Sequence, residues 1–190
     1  LRVMRDKRQD IAAAADRLFY REGFAEVGID RVVDEAAVAL GTLYRHFKGR
    51  SEVVVGAMEH RHAAFLAALE QATGGRGGPD CVLGLFDALG AWSTEKGGNG
   101  CFFLRAVSDH PQDAAMRTAA LAHKKAYLAL VRRRLRDGGW NEAQATRLAP
   151  ALFLLLEGAV AAAFTLGDEA AITEAREIAA LLLRADRPKS

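Results

Sequence analysis

Residues 40–48 read LGTLYRHFK, and the chemistry of this stretch decides how the rest of the chain is understood. At about 100° per residue, Leu40, Leu43, Tyr44 and Phe47 fall toward one side of a helix, and Gly41, Thr42, Arg45 and His46 toward the other. Such a helix is expected to pack through Leu43 and Phe47 and to show a small, cationic, hydrogen-bonding face. Gly41 lets the backbone of the first turn come close to an outside partner. Thr42, Tyr44, Lys48 and the free N–H groups of the first turn suit phosphate oxygens. Arg45 and His46 suit base edges in a major groove, where Arg matches guanine. An amphipathic surface helix with a solvated polar face fits the same spacing, so the neighbouring segments have to decide between the two.

Working outward, nearly every segment reads as helix. Ala, Leu, Arg and Glu dominate, Gly, Pro, Asn and Asp separate the runs, and no stretch alternates like a strand. A first helix is expected from Arg5 to Glu22, with Ile11, Ala14, Ala15, Leu18 and Phe19 as its apolar stripe and Gly23 as its stop. Further helices are expected over about Ile29–Ala36, Leu40–Phe47 and Gly49 or Arg50 to Thr73. The GGRGG run at 74–78 with Pro79 marks a break. Beyond it come Asp80–Glu95, ended by GGNG at 97–100, and Cys101–Ser108. A long helix opens at Pro111 and runs to Arg136; another is capped by Asn141, and a last one spans Glu169–Ala185. Pro150 should either kink the eighth helix or mark its true start.

Two short helices joined by a tight turn, the second basic outside and oily inside, form a helix-turn-helix. The block IAAAADRLFYREGFAEVGIDRVVDEAAVALGTLYRHFKGRSEVVV, Ile11 to Val55, resembles the TetR family of bacterial transcriptional regulators. LFYREGF resembles the end of that family's first helix, GTLYRHF its recognition helix and KGRSEVV the start of its fourth. The resemblance implies an all-α fold of about nine helices, with a helix-turn-helix head at 1–49 and a larger ligand-binding and dimerisation domain at 50–190. It also implies DNA contacts from Gly41, Thr42, Tyr44, His46 and Lys48, to which the physical reading adds Leu40 and Arg45. Departures from the family pattern are Val27 and Gly28 before the second helix, Ala37 for the turn glycine, Ala39 for the capping Ser, and Leu40 for a polar residue. Losing the Ser cap forfeits about 1 kcal/mol. Leu40 can meet a thymine methyl or turn inward.

The second half resembles the family's regulatory domain more loosely, through GCFFLRAVSDHP (100–111) and LLLEGAVAAAF (154–164). Large apolar groups with a few polar tips form the candidate effector pocket: His62, Phe65, Phe86, Phe102, Phe103, Met116, His123, Tyr127, Phe153 and Glu157. Trp92 is a further candidate. Sparse polar groups in an apolar cavity suit a small apolar or aromatic molecule, although the same residues can simply fill a core. For a homodimer, the expected surface combines Gly158–Ala163, Leu155, Val160 and Phe164 with Ile172, Ile178, Leu181 and Leu182. The alternative is that these are internal core.

Bulk properties fit this picture without selecting it. The formal net charge of +2 neither demands nor excludes a polyanionic partner. Cys81 and Cys101 are too few for a disulfide framework and lack ligand spacing. His60 and His62 point to different faces, and His110 and His123 have no acidic or thiol partner nearby in sequence, so no metal and no cofactor is expected. There is no secretory signal pattern, and Pro150, Glu157 and Gly158 interrupt the apolar run Leu148–Leu166, against a membrane span. No nucleophile with its base, paired carboxylates or phosphate-cradling glycine loop is visible, so an enzyme is not expected. The reading is a cytoplasmic, ligand-responsive repressor that binds double-stranded operator DNA as a homodimer. The alternative is a small-molecule-binding or interaction protein of the same fold with weak or lost DNA binding.

Overall fold

The computed structural model describes residues 6–96, 98–168 and 170–186. Arg5, Gly97 and Glu169, which sequence placed in or beside helices, lie outside the described residues. Among the described residues there are nine helices and no strand: α1 (Lys7–Glu22), α2 (Ile29–Glu35), α3 (Leu40–His46), α4 (Arg50–Thr73), α5 (Asp80–Lys96), α6 (Phe102–Asp109), α7 (Ala114–Asp137), α8 (Glu142–Leu166) and α9 (Ala170–Ala185).

One expected start moves and another holds, each for a capping reason. Pro111 lies in a turn before α7. The side chain of Asp113 instead accepts the Met116 N–H at 2.9 Å, satisfying a first-turn donor and setting the helix start. Pro150 does not begin α8, which runs through it. A reciprocal box starts that helix: Asn141 accepts from the Gln144 N–H at 3.0 Å, and the Gln144 side chain accepts from the Asn141 N–H at 3.1 Å.

The described chain packs as two compact units, one comprising residues up to Ala64 with Phe102–His123, the other Phe65–Cys101 with residues from Lys124 onward. In the first unit α1 buries the expected stripe of Ile11, Ala14, Ala15, Leu18 and Phe19. Its first turn is capped by Asp6, which accepts the Arg8 N–H at 3.0 Å. Gly23, at φ 95°, ends it in a conformation that side chains disfavour. Phe24 stacks on Phe19 at 5.3 Å and meets Phe102 of α6 at 5.0 Å, so α6 closes over the end of α1.

The α2–α3 turn is a Schellman motif. Val38 N–H donates to Val33 O at 3.2 Å and Ala37 N–H to Asp34 O at 3.1 Å, satisfying carbonyls that the helix end leaves open. The residue in the left-handed position is Ala37, at φ 51°, where glycine costs least. Replacing Ala37 by Gly is therefore expected to raise the stability of this unit by about 0.5–1 kcal/mol, read as a higher urea midpoint with unchanged slope.

In the second unit α5, α8 and α9 enclose a core that includes Leu85, Phe86, Leu152, Leu156 and Ala179, with Trp140 beneath it. The Trp140 indole N–H donates to Asp186 O at 2.6 Å, pinning the end of α9. Among the described helices α8 is the one long and apolar enough to cross a membrane. Leu148, Leu152 and Leu156 on it are instead buried in this core. The other side of α8 is open: Leu154 and Leu166 are 69% and 74% exposed, and Leu181 on α9 is 60% exposed. Of the residues expected at a dimer surface, Ala159 and Ile172 are core, whereas Phe164, Ile178 and Leu181 face outward.

Candidate nucleic-acid interface

The α3 helix is seven residues long and is held from behind. Leu43 and the following Phe47 are fully buried, while Leu40 and Tyr44, which the helical wheel put with them, are 43% and 52% exposed. So short a helix buries only what α1 and α2 can cover. The oily side is therefore narrower than the sequence suggested, and Leu40 and Tyr44 join the outward face with Gly41, Arg45 and Lys48. Thr42 and His46 are half-buried at its edges.

Four sets of contacts that sequence reasoning missed fix this helix and its flanks. The Arg8 guanidinium donates to His46 O at 2.8 Å and lies 4.4 Å over the Phe47 ring. It thus supplies a cation at the C-terminal end of α3, where carbonyls lack partners and the helix dipole is negative. Phe47 presses against α4 at Gly56: a Cβ there would come within 2.6 Å of the ring, so only glycine admits it. Arg50 donates to Val27 O and Phe24 O, locking the α1–α2 loop onto the start of α4. Glu52 accepts the Lys48 N–H at 2.9 Å, fixing the chain between α3 and α4.

Charge is distributed unevenly over this unit. Arg17 pairs with Glu35, Arg21 and Arg31 with Glu22, and Arg61 with Asp16. The Arg21 and Arg31 guanidiniums hold the Glu22 carboxyl below its usual pKa. Among the described residues neither the Arg45 guanidinium nor the Lys48 ammonium forms an ion pair with a carboxylate. Arg45 donates to Thr42 Oγ1 at 2.8 Å, a solvent-exposed bond along one edge of α3. Unneutralised positive charge thus collects on the face that carries Tyr44. A Cβ on Gly41 would meet nothing within 4 Å. Among the described residues nothing requires glycine there.

The start of α3 has no side-chain cap, and neither does that of α2, because Ala39 and Gly28 occupy the cap positions. Asp113, by contrast, ties α7 to the first turn of α4 through Ser51. That hydroxyl and the Met116 amide hold its carboxyl below the usual carboxylate pKa.

The candidate effector residues divide between the units. In the first, Phe102 meets Tyr20 and Phe24 in the core, and Met116 is buried. Phe103 stacks on His123 with centroids 3.6 Å apart, and His123 meets His62. In the second, Phe65 meets Trp92 and Tyr127 edge-on, Tyr127 meets Phe153, and Phe86 lies deep in the core. Glu157 pairs with Lys124, whose ammonium also donates to Cys101 Sγ at 3.3 Å. Burial, with Glu157 close by, pushes the Tyr127 phenol well above its ordinary pKa.

Two family profiles match the chain: bacterial regulatory proteins of the tetR family over residues 11–57, and the C-terminal domain of LmrA/YxaF-like transcriptional regulators over residues 88–178. An HTH-type transcriptional regulator of Staphylococcus aureus is 32% identical over 66 residues, which span 35% of this chain and 36% of that protein. A TetR-family transcriptional regulator from Streptomyces coelicolor superposes with a TM-score of 0.81 at 29% identity, covering 95% of this chain and 89% of its own. A TetR transcription regulator from Haloarcula marismortui superposes at 0.80 with 18% identity, over 95% and 98% of the two chains, a likeness of fold alone.

Proposed function

The chain belongs to the TetR family of bacterial transcriptional regulators, a family of regulators rather than enzymes, and from that premise we propose that it is a ligand-responsive repressor binding operator DNA as a homodimer. The observation that carries this reading is the outward face of α3, where Arg45 and Lys48 stay unpaired with acids while Leu43 and Phe47 anchor the helix from behind. Tyr44, Thr42 and Lys48 take phosphates and fix register; Arg45 and His46 read base edges, with Leu40 beside them for a thymine methyl. A two-fold partner is expected on the open face of α8 and α9, which places two copies of α3 in successive major grooves about one helical turn or more apart. The cytoplasm, where such DNA lies, is the expected compartment.

Effector release follows from differential binding. A small, largely apolar or aromatic molecule among residues such as Phe65, Tyr127 and Phe153 acts only by preferring the state whose reading heads do not fit the operator. The α4 helix is the continuous segment through which that preference reaches α3. The test is an anisotropy titration of duplexes selected from a random pool, repeated across salt concentrations. Log affinity should fall linearly with log salt, with a slope of about −0.9 per phosphate neutralised. Salt-insensitive binding, or no selected duplex at any salt, contradicts the proposal.

The uncapped starts of α2 and α3 favour a second reading, a small-molecule-binding protein whose DNA affinity has weakened. In that case Tyr44→Ala with Lys48→Ala leaves its activity untouched. Position 41 offers a further separation. Gly41→Ala is expected to stabilise the fold by up to about 1 kcal/mol and, in the repressor, to lower duplex affinity by about tenfold, or 1.4 kcal/mol. Thermal melts and DNA titration of the same variant check both signs.

A further inference from the structure

His62 on α4 and His123 on α7 are 61 residues apart in sequence, yet their Nδ1 atoms stand 3.2 Å apart. Sequence offered His123 no acidic or thiol partner; in the fold its neighbour is a second imidazole. His123 is 4% exposed and lies nearly parallel to Phe103, at 7° between planes, so its ring is fixed. His62 is half-buried and meets it at 77°. Both line a groove of about 530 Å³ within the first unit, together with Val55, Met58, Glu59 and Thr118.

Without a metal, one of two such nitrogens must donate and the other accept. A metal ion offers both lone pairs a common target. With metal–nitrogen bonds of about 2.0–2.1 Å, donors separated by 3.2 Å subtend roughly 100–105° at the ion, close to tetrahedral. We propose that His62 and His123 chelate a divalent first-row transition-metal ion through their Nδ1 atoms, with its remaining positions open to water in the groove. Among the described residues no group of three His, Cys, Asp or Glu side chains converges. Glu59 lines the groove but is drawn to Arg8 at 3.7 Å. The site is therefore a two-nitrogen one, exchangeable and open to an outside ligand. Imidazole donors favour Cu²⁺ over Ni²⁺ and Zn²⁺, and exclude Mg²⁺. The inference is independent of DNA binding, since both ligands belong to α4 and α7.

The test uses the full chain without a histidine tag. Zn²⁺ calorimetry should give one ion per chain, and electron paramagnetic resonance of the Cu²⁺ form should show two nitrogen donors. His62→Ala should lower Zn²⁺ affinity by about tenfold or more and remove one nitrogen from the Cu²⁺ spectrum. Should buried His123→Gln fail to fold by circular dichroism, the half-exposed His62 variant still decides. His60→Ala should leave binding intact. No stoichiometric Zn²⁺ or Cu²⁺ binding, or affinity unchanged in His62→Ala, overturns the proposal.

Discussion

Asp16→Ala is expected to destabilise the first unit by about 3–5 kcal/mol, because it strands a charge that the fold has buried. Asp16 and Arg61 are 7% and 5% exposed, with Arg61 Nε donating to Asp16 Oδ1 at 2.5 Å and His60 Nδ1 standing 3.1 Å from Oδ2. The Arg61 guanidinium lies 3.8 Å over Tyr20 and 4.9 Å over Phe102, so it cannot swing to water without opening that aromatic cluster. Whole domains have only about 5–15 kcal/mol to lose. Hydrogen exchange should show α1 amides opening in the variant while the second unit keeps its protection. The double variant Asp16→Ala with Arg61→Met should recover more than half of the loss, since Met fills the stacked space without a charge. An Asp16→Ala chain that melts like the wild type would show that the pair carries no such load.

Lys48→Ala and Arg45→Ala should weaken DNA binding in different ways. Lys48 is assigned to phosphate, so its loss should lower affinity about equally for all duplexes. In a dimer it should flatten the log–log salt slope by about 2, one contact from each half-site. Arg45 is assigned to a base edge, so Arg45→Ala should cost about 1–3 kcal/mol per half-site on the selected duplex and relax preference at one base pair. Anisotropy titrations on selected and scrambled duplexes at several salt concentrations separate the two outcomes. Identical effects from both variants would remove the division of labour on α3.

The helices themselves were legible because they rest on local signals. Gly23, the GGRGG run and Asn141 mark breaks, and the α1 stripe repeats at the period that burial then shows. The outward residues of α3 were only partly legible. The helical wheel cannot show that Leu40 and Tyr44 pass beyond the reach of α1 and α2. The apolar anchors Leu43 and Phe47 were legible, but the polar ties of α3 and its scaffold were not, because they are tertiary: Arg8 reaches His46 across 38 residues, and Arg61 of α4 reaches Asp16 of α1 across 45. One signal was available. Asp16 lies among the inward residues of α1, and a carboxylate on a buried face requires a cation somewhere in the fold. His62 and His123 carried no such sign, since an imidazole on an apolar face is unremarkable until its partner is seen.

The central claim, that α3 lies in a DNA groove, is tested most directly by a DNA-cleaving chelate attached to a cysteine at its exposed first residue. In a Leu40→Cys chain whose own Cys101 is replaced by Ser (Cys81 is fully buried), cleavage of the selected duplex should be confined to two positions separated by one helical turn or more. On a scrambled duplex the same reagent should give no focused cuts. Diffuse cleavage of the selected duplex from position 40, or cuts as focused on the scrambled one, would contradict it.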